Sequence, residues 1–369
     1  MRVESDENAG QRTWRGSLVS REETTSRARA PNTLTGRVQS YLSNICLKYV
    51  QVHAWTVTPI QSMDASGCDE AGLVLAWDST GCSAWHFAHS PVIGFAIRQS
   101  GKEGMGCFVL HACVPGERLL AERPLLEWSK DRGDSTASLA AAVDGLGELL
   151  RDAFWDLCQN AEHGMRKHAY GIWLSNALPT EDEPATAAVF RVASRINHGC
   201  RPNAHIAWNP RLQRMTLHAL TPISAGEEVR IHYRGGGDGE TRAERRAALL
   251  RDFGFSCTCA DMCGASRSKV AASDERQARI AALAARIQAT PCPTDCVALV
   301  EQRLALMEAE GMVTAWDTMG AAMSYCRFTA QPKAAAQWAA RAASCAALAL
   351  GRDSEEYAMY VMSLRQADS

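Results

Sequence analysis

A chain of 369 residues with 46% apolar and 22% charged side chains has the composition of a soluble globular protein, long enough for two or three structural units. A formal net charge of −2 gives no global reason to expect binding to nucleic acid or to an anionic membrane. No apolar run approaches the ~18 residues of a membrane span, and the N-terminal MRVESDENAGQRTWRG lacks the apolar centre of a secretory signal, so an intracellular protein, nuclear or cytoplasmic, is expected.

Residues 1 to about 35 are polar, without sustained apolar periodicity, and are expected to be disordered. Between Tyr41 and Pro91 only Val50–Val57 and Gly72–Trp77 carry strand signals, so residues 1–91 read as an N-terminal extension without a functional motif. From Val92 the run VIGFAIRQSGKEGMGCFVLHACVPGERLLAERPLLEW predicts short strands divided by Gly and Pro turns. Ser135 to Ala161 then predicts helix, with Leu139, Val143, Leu146, Leu149, Leu150, Phe154, Leu157 and Cys158 on one face. A Pro-, Glu- and Asp-rich loop from Pro179 to Pro184 leads to strands at HIAW, RMTLHAL and EVRIHY. After Cys263 the chain is Ala- and Arg-rich, with helices expected at 274–288 and from about Asp295, Ala315, Lys333 and Ser354 onward. Their short connectors suggest paired antiparallel helices in a tetratricopeptide-like manner, although no clean repeat of roughly 34 residues is present.

Three blocks concentrate the chemistry. The first is R-I-N-H-G-C-R-P-N (Arg195–Asn203), the second G-E-E-V-R-I-H-Y (Gly226–Tyr233), and the third D-F-G-F-S-C-T-C-A-D-M-C (Asp252–Cys263). Taken alone, Asn197 and His198 are two polar side chains in a turn that need hydrogen-bond partners if buried. Cys257, Cys259 and Cys263 are either core residues or three ligands of a tetrahedral metal site that lacks its fourth. The other cysteines outside these blocks are scattered and read as small core hydrophobes.

In this order and company, the blocks resemble the core of SET-domain protein-lysine methyltransferases, with most similarity to the SET-MYND (Smyd-like) branch but no MYND finger. The resemblance covers about Val92 to Cys263 and, more weakly, the helical C-terminus. It implies an α+β fold: a SET domain of small sheets over 92–255 with a pseudoknot and a helical insert at about 128–190, a post-SET segment at 256–266, and an all-α, TPR-like region at 267–369. It further implies S-adenosylmethionine as cofactor and a protein lysine, histone or otherwise, as substrate. The helical C-terminus would offer a surface for peptide partners, and neither membrane nor direct nucleic-acid binding is expected.

Residue by residue, the resemblance makes Tyr233 catalytic, aligning the transferred methyl. It assigns Lys102, Gly104, Met105, Gly106, Ser194, Asn197, His198 and Phe255 to the cofactor, the last stacking on adenine, and adds Asn176 as a further contact. Phe253 with Tyr233 would line the lysine channel. Cys200 would complete a structural zinc site with Cys257, Cys259 and Cys263. Two departures stand out. Glu103 occupies a place where the family often has Lys or Arg, so either Lys102 shifts in or cofactor affinity suffers. The spacing C-x-C-x3-C has one residue more than the usual C-x-C-x2-C, so Asp261 or Met262 must bulge, and a slid register would put Phe255 in the channel instead of Phe253. A catalytically silent SET fold, or an adaptor working through its C-terminal helices, is the alternative reading.

Overall fold

The computed structural model describes residues 73–77, 83–87, 94–101, 104–128, 136–160, 166–181, 186–234, 239–260, 262–289 and 293–365. The expected disorder before residue 35, the strand expected at Val50–Val57, and the assignments to Lys102 and Glu103 lie outside these residues.

Four antiparallel strands, β1 (Leu73–Trp77), β2 (Ser83–Phe87), β3 (Phe95–Gln99) and β4 (Met105–Val109), pair in sequence order. The β3–β4 turn contains Gly101 and Gly104 at φ +51° and +82°, a region where a side chain is strained, and Ser100 N–H closes it on the Gly104 carbonyl at 2.6 Å. A second sheet has β11 (Arg214–Ala219) between β10 (Ala204–Asn209) and β5 (Arg118–Glu122). A third has β8 (Thr186–Val189) between β6 (Leu126–Trp128) and β7 (Leu178–Glu181).

The main core joins residues of the first two sheets, with Phe95, Val109, Leu119, Leu120 and Leu217 all buried, and takes in Phe190 just after β8. Strand β11 is buried on both faces, because helix α8 (Pro332–Ala349) lies against β10 and β11. The small side chains Ala342, Ala346 and Ala349 of that helix are fully buried. Part of the Ala-rich pattern is therefore a close-packing face toward the sheet as well as toward neighbouring helices. At the edge of this contact Arg118 donates from Nε to His218 Nε2 at 3.1 Å and forms an ion pair with Asp353. Gly351, at φ +89°, leaves no room there for a Cβ: it would sit 2.8 Å from both the Arg118 and His218 side chains. Burial, then the neighbouring Arg118, pushes His218 down to about 4, so its imidazole is neutral.

The helix expected from Ser135 to Ala161 is two helices, α1 (Thr136–Asp144) and α2 (Glu148–Asp156), separated at Gly145-Leu146-Gly147. Gly147 lies outside the helical region (φ −57°, ψ 152°), which ends any continuous helical phase. The proposed single apolar face breaks with it: Leu139, Val143, Phe154 and Leu157 are fully buried, whereas Leu149 and Leu150 are 65% and 36% exposed. With α3 (Ala169–Asn176), these helices and the third sheet share a core of their own, including Trp128, Leu139, Phe154 and Ile172.

Helix α4 (Arg242–Phe253) is absent from the sequence reading, although its signals are present. Thr241 caps it and Glu244 reaches back to Thr241 in a reciprocal capping box, and Gly254 ends it in the left-handed conformation at φ +72°. Beyond the cysteines come α5 (Arg267–Ala289), α6 (Pro293–Ala309), α7 (Trp316–Phe328), α8 and α9 (Glu355–Arg365), each packed on the next. Helix α5 begins seven residues earlier than expected, at Arg267 rather than 274. Among the described residues no helix is long and apolar enough to cross a membrane.

Candidate active site and metal centre

The expected strand EVRIHY is shorter than the pattern suggested, because the segment changes partner along its length. Gly226–Val229 pairs with β4: Val109 N–H donates to Glu227 O (3.1 Å) and Val229 N–H to Cys107 O (2.8 Å). The next two residues form β12 (Arg230–Ile231) and run parallel to β9 (Asn197–His198), with Asn197 opposite Arg230 and His198 opposite Ile231. Asn203 fastens the two blocks together, accepting from Arg230 N–H at 2.8 Å and donating to Glu228 O at 2.9 Å. This pairing, between segments about thirty residues apart, places Asn197, His198 and Tyr233 side by side, as the pseudoknot expectation required.

Three features fix the surroundings of Asn197. Asn197 donates from Nδ2 to Met105 O (3.2 Å) and to Glu228 Oε1 (2.8 Å), tying the glycine-rich turn to the threaded segment. A Cβ at Gly106 would lie 2.2 Å from that same Glu228 oxygen, so glycine is required there by close approach, while Gly104 faces open space. Glu228 is held by Arg230 at 2.6 Å.

Tyr233 stands at the centre. Its hydroxyl donates to Ile196 O at 3.0 Å, its ring centroid lies 4.9 Å from that of Phe253, and Phe255 meets it edge-on at 6.2 Å. Its backbone N–H donates to His198 Nδ1 at 3.3 Å, which leaves the proton of this buried imidazole on Nε2, 3.4 Å from Cys200 Sγ. The adjacent His232 is pushed down to about 3 by burial and is neutral.

Below the aromatic residues, the sulfurs of Cys200, Cys257, Cys259 and Cys263 lie within 4.8 Å of one another, with Cys200 3.8 Å from Cys257 and 3.6 Å from Cys263. A tetrahedron with metal–sulfur bonds of ~2.3 Å has sulfur–sulfur edges of about 3.8 Å, so the donor set and spacing fit one thiophilic cation. Four thiols this close share protons unevenly: hydrogen bonding to Cys257 pushes Cys200 up, and Cys257 is held well below the ordinary thiol range by Cys200. Met262, one of the two residues expected to bulge, is buried in a turn, and the N–H of the following Cys263 points at Cys259 Sγ (3.4 Å). Phe253, Phe255 and Tyr233 pack directly on this cluster.

Two expected cofactor contacts are engaged inside the protein. Asn176 donates from Nδ2 to Cys158 O (2.6 Å) and Ile172 O (2.7 Å), and Ser194 links Asn176 O to Phe190 N–H. Three positioning residues escaped the sequence reading. Glu122 is buried and accepts from the backbone N–H groups of Arg191, Val192 and Ala193, fixing the approach to Asn197; burial raises its pKa against those three donors. Glu228 sits between Asn197 and Arg230. Asn160 donates to Phe253 O and packs against Gly254, joining the α2–α3 segment to the aromatic pair. Glu228 lies inside a recognisable block and Glu122 in the expected strand run before it, whereas nothing in the pattern marks Asn160.

Replacing Glu122 by Gln substitutes an N–H2 donor for one of the oxygens that face backbone donors. The expected loss is about 1–3 kcal/mol of stability, the range for buried hydrogen-bonding groups left unsatisfied. Urea denaturation of the two proteins measures it, and an unchanged midpoint would show that the clamp contributes nothing.

Compared with known proteins, residues 104–234 match the family described as SET domain. The chain is 29% identical over 260 residues to a histone-lysine N-methyltransferase of Schizosaccharomyces pombe, across 69% of this chain and 78% of that protein. It is 37% identical over 140 residues to a SET and MYND domain-containing protein of Dictyostelium discoideum, covering 37% of this chain and 39% of that one. Over 84 residues it is 38% identical to a histone-lysine N-methyltransferase of Arabidopsis thaliana, of which it spans 25%.

Proposed function

The chain is a SET-domain protein, and from that premise we propose that it transfers methyl groups from S-adenosylmethionine to the side chain of a protein lysine. The observation that carries this reading is the enclosure of Tyr233: its hydroxyl is held by Ile196 O and its ring is flanked by Phe253 and Phe255 beside the Asn197–Met105 tie. The relatives that bear the word histone make a histone tail the first substrate to test, in a protein of nucleus or cytoplasm.

When bound, the cofactor supplies an electrophilic methyl on sulfur, and transfer to an amine is one in-line displacement whose demand is alignment. The open space at Gly104, the segment Gly104–Met105–Gly106, Asn197, His198 and the face of Phe255 are the groups proposed to receive it. Tyr233 would orient the methyl. Phe253 and the Tyr233 ring would form an apolar passage for the lysine, in which desolvation disfavours the ammonium and delivers the amine neutral. Cys200, Cys257, Cys259 and Cys263 would hold a structural zinc, with no open coordination position for catalysis.

The direct test is incubation of the purified protein with radiolabelled cofactor and core histones, followed by mass spectrometry of labelled lysines. Absence of transfer to histones and to a whole-cell protein extract would overturn the reading.

Product number follows from Phe253. A tyrosine at this place would occupy more room and hold a water by its hydroxyl, a difference of about 1 kcal/mol. Wild-type protein is therefore expected to add more than one methyl, and Phe253→Tyr to shift product several-fold toward monomethyl-lysine. Phe255→Tyr, made in parallel, is expected to leave the ratio unchanged. The opposite outcome would move the channel to Phe255.

A further inference from the structure

A cleft of about 660 Å³ opens between the cysteine turn and helix α5, and none of the residues proposed above for cofactor, lysine or metal lines it. That volume is ample for a peptide segment. Its walls include Arg201, Ala260, Met262, Lys269, Ser273 and Arg276. Lys269, Ser273 and Arg276 recur at helical spacing and present one face of α5, while Arg201 immediately follows the cluster residue Cys200.

Charge distinguishes this cleft. Arg201 and Lys269 are exposed, and neither has a hydrogen bond or ion pair among the described residues. Arg276 donates from Nε to Glu310 Oε1, and the Glu310 side chain, with no exposed surface, also accepts from Ser273 at 2.7 Å. That buried carboxylate neutralises one of the three cations, which leaves two positive charges among the described residues of the walls. The terminal nitrogens of Arg276 have no partner among the described residues, and the Nε contact orients the guanidinium. Ala260 and buried Met262 add an apolar strip at the cysteine end.

We propose that this cleft binds an acidic segment of a polypeptide, its carboxylates meeting Arg201, Lys269 and Arg276 and an apolar side chain resting on Ala260 and Met262. The choice of a polypeptide rests on the reading of this chain as an enzyme acting on proteins. The apolar strip beside the cations favours such a segment over a small inorganic anion. Planar guanidinium groups match carboxylates in pairs, and charges at an accessible cleft confer selectivity and salt dependence.

The test is fluorescence anisotropy with the full chain and a labelled peptide of sequence Glu-Glu-Leu-Glu-Glu-Leu-Glu-Glu, without cofactor, with inorganic phosphate as competitor. Saturable binding is expected, weakened about tenfold by Arg201→Glu combined with Lys269→Glu and reduced as salt rises from about 50 to about 300 mM. The milder pair Arg201→Ala and Lys269→Ala should lie between. All four changes are at exposed side chains, and unchanged circular dichroism checks the fold. No saturable binding, equal affinity for wild type and both double variants, or displacement by millimolar phosphate as effectively as by unlabelled peptide would overturn the proposal. Because transfer is not measured, a protein that binds the peptide yet methylates nothing would refute the proposed activity and leave the cleft standing.

Discussion

Tyr233→Phe is expected to lower methyl transfer at least about a hundredfold, which corresponds to roughly 3 kcal/mol of transition-state stabilisation, while leaving fold and cofactor affinity nearly intact. The reason is geometric. The tyrosine ring is already fixed by Phe253, Phe255 and His198, so phenylalanine fills the same space. What disappears is a hydroxyl whose single hydrogen is committed to Ile196 O, leaving its oxygen aimed by that bond. Such aimed polar groups act on alignment of the reacting methyl more than on binding. Single-turnover transfer assays with saturating cofactor separate the two, and unchanged turnover would remove Tyr233 from the catalytic role. Loss of cofactor binding in proportion to activity would assign it to the pocket wall instead.

The largest structural effect is expected from the cysteines. Purified protein should carry about one zinc per chain, and Cys200→Ser should lose it, because three thiolates hold the ion far less firmly than four and metal affinity in such sites is folding free energy. Cys200 belongs to the threaded segment and the other three to the stretch after α4, so the ion would close a loop between distant parts of the chain. Its loss should free Phe253 and Phe255, which pack on the sulfurs, and lower activity along with melting temperature. Elemental analysis with thermal unfolding checks this directly. Active wild-type protein without any bound metal would eliminate the site, and Cys326→Ser, at a buried cysteine far from the cluster in sequence, should leave the metal in place.

Most of the site was legible because its residues sit in short blocks whose order is itself informative. The pairing of Asn197–His198 with Arg230–Ile231, the convergence of Tyr233, Phe253 and Phe255, and the gathering of four sulfurs all follow those blocks. What escaped depends on long-range contact. Asn160 is an ordinary polar residue in a loop until Gly254, 94 positions later, packs against it. The break between α1 and α2 escaped for another reason: Leu149 and Leu150 continue the apolar count, but Gly145 and Gly147 reset the helical phase, and periodicity read across two glycines merges distinct helices. Helix α4 was legible in its capping box and terminal glycine, and was hidden only by its charged, low-apolar composition.

The contact of α8 with β10 and β11, locked at its rim by Arg118, His218, Asp353 and Gly351, bears on how the protein is made. On the ribosome, β5, β10 and β11 emerge well before α8 does. At typical elongation rates the sheet waits about 5–20 s for the last hundred or so residues. During that interval both faces of β11 cannot be covered, and a strand built to be buried on each side is open to mispairing or to a chaperone. A nascent chain stopped just after the cysteines should therefore be aggregation-prone even with every residue of the proposed site already translated. Maturation of the site would then be governed by the arrival of helices that touch neither methyl donor nor acceptor.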